Sequence, residues 1–288
     1  MKKVLVIGDT ILDTYSYGEV ERISPEAPVP VFDFKNEEYI LGGAANVAAN
    51  IRSLSLKSEL LKIDYFGYYS HKIYDMFSKY NIDCVGIPIR EEEILKKQRF
   101  VCNKHQIIRV DYNKKYQGDI LYASFMKFKN LNFSEYDLIV VSDYDKNTLQ
   151  DEEFALLGSL KNKKRLIDLK RVRKDMSSIN FGKDTCVIKC NMKEYDQNPY
   201  IMMLGAKVVV TAGGNGYFFP ETKESFPVAK KSGIIDVVGA GDTFLAGMAI
   251  NSLESGAFDI YSMTKNGNLC ASEKVSHFGT VAVDRSML

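Results

Sequence analysis

Six short runs of apolar and β-branched residues punctuate the chain: KVLVIGD (3–9), SELLKIDYFG (58–67), DLIVVSDY (137–144), KRLIDLK (164–170), TCVIKCN (185–191) and AKVVVTAGG (206–214). Each is nearly continuous rather than alternating, and stretches of helical character separate them, which predicts strands buried on both faces. Such strands make a parallel sheet covered by helices, an α/β architecture. Most of the runs end at Gly, Asp or Asn, which places polar groups at the strand C-termini, where open α/β sheets bind ligands.

Two stretches follow a different period. Residues 14–38 (TYSYGEVERISPEAPVPVFDFKNEE) and 88–113 (PIREEEILKKQRFVCNKHQIIRVDYN) alternate with period two and carry prolines, so they read as antiparallel strands outside the main sheet. A small β-lid over the ligand edge accounts for both. No repeat, low-complexity tract or linker interrupts the chain, and residues 1–288 read as one folding unit with the lid inserted.

Composition narrows the function classes. The 288 residues are 45% hydrophobic and 26% charged, with 38 basic and 37 acidic side chains, so no overall field draws the protein to nucleic acid or to an anionic membrane. Any anion site has to be built locally. The five cysteines are odd in number and form no CxxC pair, which fits a reducing, cytoplasmic setting. Cys186 and Cys190 stand four apart, a spacing open to a metal clip, but they fall in an apolar strand with no histidine nearby and read as buried thiols. The apolar run of MKKVLVIGDT is too short for a signal peptide or a membrane span.

The strongest local signal is IIDVVGAGDTFLAGMAI (234–250), where an apolar strand is expected to run into Gly239-Ala240-Gly241 and a helix to start near Asp242-Thr243. Successive N–H groups at a helix start form an anion hole, and small residues let a phosphoryl group reach the backbone. Asp242 is open to two readings, a helix N-cap or a general base beside that hole. The spacing fits neither a GxGxxG loop nor a GxxxxGK[ST] loop. ILGGAANVAANIRSL (40–54) crowds small residues around Asn46, for tight helix packing or for a ligand, and Asn191 with Glu194 has the spacing of a capping box.

DVVGAGDTFLAG resembles the C-terminal signature of the ribokinase-like (PfkB) carbohydrate kinases, and GGAANVAANI resembles their N-terminal glycine signature. GDTILDTYSYGEVERISPEAPVPVFDF, QRFVCNKHQIIRVDY and VVSDYDKNTL bring the likeness closest to the bacterial heptose-7-phosphate 1-kinases, which make ADP-heptose precursors. The resemblance covers nearly the whole chain. It implies a three-layer sandwich with a mostly parallel central sheet and a small antiparallel lid. It also implies an ATP- and Mg2+-dependent kinase of a sugar or sugar phosphate, able to dimerise through the lid.

The resemblance assigns roles position by position. Asp242 is the base, with Gly239, Ala240 and Gly241 as the anion hole. Asn191 and Glu194 act on magnesium through water, and Thr211, Gly213, Gly216, Asn268 and Gly279 line the nucleotide site. Asp9, Asp13, Gly42, Gly43 and Asn46 hold the sugar, while Arg22, Arg99, Arg109 and Lys170 are the basic partners of substrate or phosphates. Asp236 shapes a loop where some relatives bind a monovalent cation, although Val237 replaces their usual threonine. Relatives read DPK and TPN where this chain has Asp168-Leu169-Lys170 and Lys189-Cys190-Asn191. A nucleotidyltransferase activity found in bifunctional relatives would lie outside these residues. The expected reaction is phosphorylation of the C1 hydroxyl of a heptose 7-phosphate. Its rivals are a kinase of another sugar in a capsule pathway and a non-catalytic sugar or nucleotide binder.

Overall fold

Alternate residues of the first strand, β1 (Lys2–Gly8), enter two different cores: Val4 and Val6 one, Leu5 and Ile7 the other. A strand with no solvent face has no polar positions to spare, hence its unbroken apolar run. The computed structural model describes residues 1–55, 60–114, 116–230, 233–277, 279 and 282–287. In it β10 (Leu138–Ser142), β11 (Arg165–Asp168), β12 (Cys186–Asn191) and β13 (Lys207–Thr211) lie parallel beside β1 in that order. On the other side of β1 follow β4 (Leu61–Phe66) and β6 (Ile82–Cys84), also parallel. Positions 58 and 59 of the run expected at 58–67 lie outside the described residues. Two short antiparallel strands, β14 (Tyr217–Phe219) and β15 (Glu224–Phe226), complete a nine-stranded sheet at the β13 edge.

Helices cover both faces. The core on one side is built with α1 (Ala44–Leu54), α2 (His71–Lys79), α6 (Ala240–Ser255) and α7 (Ile260–Lys274). The core on the other side takes Phe128 from α3 (Asp119–Lys129) and Phe154 and Leu157 from α4 (Asp151–Ser159). Helix α6 is buried on every side along most of its length, the mark of a central helix. Cys102, Cys186, Cys190 and Cys270 are buried free thiols, and burial pushes those of Cys186 and Cys190 up to about 12. Among the described residues no three His, Cys, Asp or Glu side chains gather as a metal cluster, and no helix is long and apolar enough to cross a membrane.

A second sheet is made by β2 (Thr10–Ile23), β3 (Pro30–Gly43), β8 (Leu95–Cys102) and β9 (His105–Tyr112), in the order β3-β2-β8-β9. Two antiparallel hairpins, β2 with β3 and β8 with β9, are joined by parallel pairing of β2 with β8. Strand β2 starts two residues after β1 ends, and β3 runs straight into α1. The lid therefore grows out of the ligand edge of the main sheet, and its first residues belong to the site.

The apolar segment before Gly239 is not the expected strand. The N–H groups of Ile235 and Asp236 both go to the carbonyl of Val275, at 2.8 and 3.2 Å, rather than to a sheet neighbour. Its side chains are free of the core: Ile234 and Val237 are 66% and 64% exposed.

Candidate active site

The glycine pair at the end of β3 is fixed by close approach. A Cβ at Gly43, which has φ 60 and caps α1, would lie 2.4 Å from the Asp9 carbonyl oxygen; one at Gly42 would lie 2.4 Å from Asp13 Oδ2. The chain can turn from lid into helix here only without side chains. The small residues that follow let α1 lie against α6, and this contact sets up the site.

Asn46 crosses that contact. Its Nδ2 donates to Asp242 Oδ2 at 2.9 Å, and its Oδ1 accepts from Asn50 Nδ2 at 2.8 Å. Asn50 Oδ1 in turn accepts from the Val283 N–H at 3.0 Å and from Thr243 Oγ1 at 3.4 Å. Asn46 was expected to hold a sugar hydroxyl; it is turned inward and orients the carboxylate instead. The other oxygen of Asp242 accepts the Tyr144 hydroxyl at 2.7 Å. Burial raises the Asp242 pKa to about 6 against the pull of these two donors, with Asp168 adding to the rise and Lys189 opposing it.

Gly239, at φ 80, opens α6 with no side-chain cap. Of the expected amide donors, Ala240 is engaged by the Val237 carbonyl at 3.2 Å. The Gly241 and Asp242 amides belong to a first helical turn, which has no intrahelical acceptors, and the positive end of the helix adds to their field. Ala240 and Gly241 line a cavity of about 480 Å³, together with Lys189, Asn191, Thr211, Gly213, Gly216 and Asn268. Ile234, Val237 and Phe244 supply its apolar wall. A cavity of about 260 Å³ at the opposite end of the sheet, around Lys163 and Ser252, contains none of these residues.

Gly279, expected at the nucleotide site, is not among the residues lining the larger cavity. Its N–H donates to Asp236 Oδ2 at 2.9 Å, and its open face looks toward Tyr15 and Ile40 of the lid. Asn268 is at the cavity wall, with Nδ2 on the Pro227 carbonyl at 2.9 Å.

Four charged groups, Lys189, Asp168, Lys170 and Glu194, interact with one another beside the cavity. Lys189 is 4% exposed and lies 2.6 Å from Asp168 Oδ2; a Cβ at Gly241 would be 3.1 Å from its Nζ. Burial works to lower the Lys189 pKa, but Asp168, Glu194 and Asp242 outweigh it and hold the ammonium above its usual range. Lys170 pairs with Glu194 Oε1 at 2.8 Å. Asn191 and Glu194 also form a reciprocal capping box at 2.9 and 2.8 Å. These oxygen donors fit a magnesium ion held through water, the hard ligand set it prefers.

The lid supplies the other wall. Asp13 and Arg99 form a buried ion pair at 2.5 Å, with the guanidinium above the Tyr15 ring. Strand register places Lys97 beside Asp13 and Arg109 beside Arg99, all on one face. The Lys97 ammonium lies 5.4 Å over the Tyr144 ring, so this basic face looks toward the Asp242 side. Burial pushes the Lys97 pKa down, Asp13 and Asp111 oppose, and Arg99 and Arg109 add to the fall. Arg109 pairs with Asp111 at 2.8 Å.

Two expectations for this wall are corrected. Asp9 uses its carboxylate on the backbone N–H groups of Tyr144 (2.7 Å), Lys146 (3.2 Å) and Thr148 (3.2 Å), so it shapes the loop after β10 and offers nothing to a sugar. Arg22 is exposed near the far end of β2, opposite Val31. Conversely, Tyr144 and Lys97 were not among the expected site residues. Lys97 could have been found from the alternation in KKQR, which puts it on the same face as Arg99; Tyr144 carries no signal beyond its place after a strand end.

The C-terminal part of the chain, residues 196–286, matches the model of the pfkB family carbohydrate kinases. The chain is 35% identical over 283 residues to the bifunctional protein HldE of Helicobacter pylori, covering 88% of this chain and 59% of that protein. It is 29% identical over 300 residues to HldE of Pasteurella multocida, with 98% and 61% covered. The chain thus spans about three fifths of the length of these relatives. A ribokinase from Thermotoga maritima superposes with a TM-score of 0.70 at 15% identity, over 100% of this chain and 98% of that one. The nucleoside kinase of Methanocaldococcus jannaschii gives 0.65 at 18%, over 99% and 95%. The fold is ribokinase-like. The chain carries a pfkB carbohydrate kinase domain, that of a phosphotransferase acting on an alcohol group, with a glycine-flanked aspartate at its helix start.

Proposed function

We propose that this chain transfers the γ-phosphoryl group of ATP to the C1 hydroxyl of a heptose 7-phosphate, giving the 1,7-bisphosphate and ADP. One observation carries the reading: Asp242 stands between a cavity wide enough for a nucleotide and a lid face bearing Lys97, Arg99 and Arg109. Basic side chains across from the base suit an acceptor that already carries a phosphate at its distal end. The resemblance of GDTILDTYSYGEVERISPEAPVPVFDF to the heptose-7-phosphate 1-kinases supports the same sugar.

In this reading the acceptor hydroxyl competes with Tyr144 for Asp242 Oδ1 and gives its proton to that carboxylate. The sugar oxygen bonds to the γ-phosphorus as the bond to the bridging oxygen of ADP breaks. The Gly241 and Asp242 amides and the Lys189 ammonium meet the charge on the moving group, where preorganised donors are most effective. Magnesium bound with the nucleotide would neutralise phosphate charge, with Asn191 and Glu194 holding its water. The lid keeps bulk water from the phosphoryl group. A dimer through the lid belongs to the same reading, since Ile23, Phe34 and Ile108 are exposed along its strands and Val29 between β2 and β3.

The test is phosphorus NMR of a mixture of heptose 7-phosphate, ATP and magnesium, which reports both turnover and the oxygen phosphorylated. A 1,7-bisphosphate signal is expected. No reaction with heptose 7-phosphate, alongside turnover of another sugar or sugar phosphate, would replace the substrate and keep the chemistry. Lys189 and Leu169, at positions where the heptose kinases carry other residues, favour including such a panel.

A further inference from the structure

Members of this family that use a monovalent cation place it in the loop before the catalytic helix, and here the side chains around that loop do not fit one. The last residue of α7, Lys274, is 0% exposed. Its ammonium donates to the His277 carbonyl at 3.2 Å, and among the described residues no carboxylate forms an ion pair with it. Burial pushes its pKa below the usual lysine range, and the charge of Asp236, in the loop itself, opposes that fall.

The surrounding hydrogen bonds tie this ammonium to the anion hole. The Val275 carbonyl receives the N–H groups of Ile235 and Asp236. Asp236 Oδ1 accepts from the Val238 N–H at 2.9 Å and Oδ2 from the Gly279 N–H at 2.9 Å. One residue later the chain turns at Gly239 and presents the α6 amides. The 235–239 loop is thus clasped to Val275 and Gly279 around one carboxylate, whose charge acts on the buried Lys274 ammonium. A buried ammonium survives only where carbonyl dipoles and a nearby anion supply negative potential, which is also what an alkali ion would need. Both cannot be accommodated, because like charges at this range repel strongly in a poorly solvated interior.

We infer that the Lys274 ammonium is the permanent cation of this loop, a positioning residue that replaces an exchangeable alkali ion, so the protein works without potassium or sodium. The activity arm of the test rests on the proposed kinase reaction, whereas the stability arm does not. In the stability arm the melting temperature of the whole chain with ADP and magnesium is measured in tetramethylammonium, potassium and ammonium salts at equal ionic strength. Agreement within about 1 °C is expected, because a cation that bound the folded loop would raise it by mass action. A rise of several degrees specific to potassium would overturn the inference even if the acceptor sugar were unknown.

In the activity arm, ADP release in tetramethylammonium salt should change less than about twofold when potassium is added, and activation of about tenfold or more would overturn the inference. Lys274→Ala, which makes room, should lose about tenfold or more in kcat with the acceptor KM nearly unchanged, and should gain potassium activation. A variant with full kcat in tetramethylammonium would be incompatible with the inference. Should Lys274→Ala fail to fold, both wild-type arms still decide. Failure of the heptose substrate leaves the stability arm standing, and potassium dependence would leave the kinase reading intact.

Discussion

The Asn46 amide and the Asp242 carboxylate meet at 2.9 Å across 196 positions of sequence. This contact joins the two glycine-rich segments of the chain in one device: α1 supplies the donor that orients the Asp242 carboxylate, and α6 supplies that carboxylate and the first-turn amides beside it. Because Tyr144 holds the second oxygen, the carboxylate is fixed at both ends before any substrate arrives. Preorganisation of this kind lowers the cost of reaching the transition state.

Removing the base should separate chemistry from binding. Asp242→Asn is expected to lower kcat by about 10²–10⁴, the usual range for a general base. Binding of a fluorescent ATP analogue, measured by titration, should stay within a fewfold of wild type. Equal losses in both would mean that the aspartate only builds the pocket.

The rate should depend on pH through the same group. Asp242 acts as a base only when ionised, so kcat should rise from acid pH through an apparent pKa of about 6 and level off above it. The Tyr144 hydroxyl stabilises the ionised form, so Tyr144→Phe should move this limb to higher pH. A limb that stays in place, or moves to lower pH, in a pH–rate profile of the variant would count against the assignment.

Stability should run opposite to activity. The folded pKa of Asp242, about 6, stands above the ordinary carboxylate value, so the fold binds this proton more tightly than the unfolded chain does. The fold is therefore favoured below the unfolded pKa and loses stability as pH climbs toward 6, by up to about 3 kcal/mol. Asp242→Asn removes that titration. Its melting temperature relative to wild type should be higher at pH 8 than at pH 4, a difference calorimetry can read.

The lid face should govern the phosphate-bearing acceptor and little else. Lys97→Met and Arg109→Ala are each expected to raise the acceptor KM by about tenfold, the order of one lost charge-assisted contact, while the ATP KM stays near wild type. Steady-state kinetics with each substrate varied in turn would show it. A matching rise in the ATP KM would shift these residues to the nucleotide.

Gly42→Ala should act through the buried ion pair. The new methyl would fall 2.4 Å from Asp13 Oδ2, so the carboxylate must move away from Arg99. A loss of about 1–3 kcal/mol in urea unfolding is expected from such overpacking.

The parts of this molecule that could be read from sequence are those where one physical demand leaves one pattern. Strands β1 and β10 to β13 are buried on both faces, and nearly continuous apolar runs satisfy that, interrupted where Arg165 and Lys189 are buried with partners. The Gly239–Asp242 turn was legible because a helix entered through a left-handed residue, Gly239 at φ 80, calls for glycine there. The same reasoning failed at 234–238, where apolar residues line a cavity instead of a core; hydropathy alone does not tell the two apart. Asn46 and Asp9 were recognised as special but given the wrong partners, since a hydrogen bond to a distant backbone leaves no trace in the local pattern. Tyr144 is one of 17 tyrosines, and Lys274 has the ordinary place of a basic residue in a last helical turn.

Ile234 and Val237 hang in water at the mouth of the cavity, at 66% and 64% exposure. A flat heterocyclic base laid across them would hide this greasy rim, so a bound nucleotide should act as a solubiliser. Stocks kept with nucleotide should stay clear, and exhaustive dialysis should turn them cloudy.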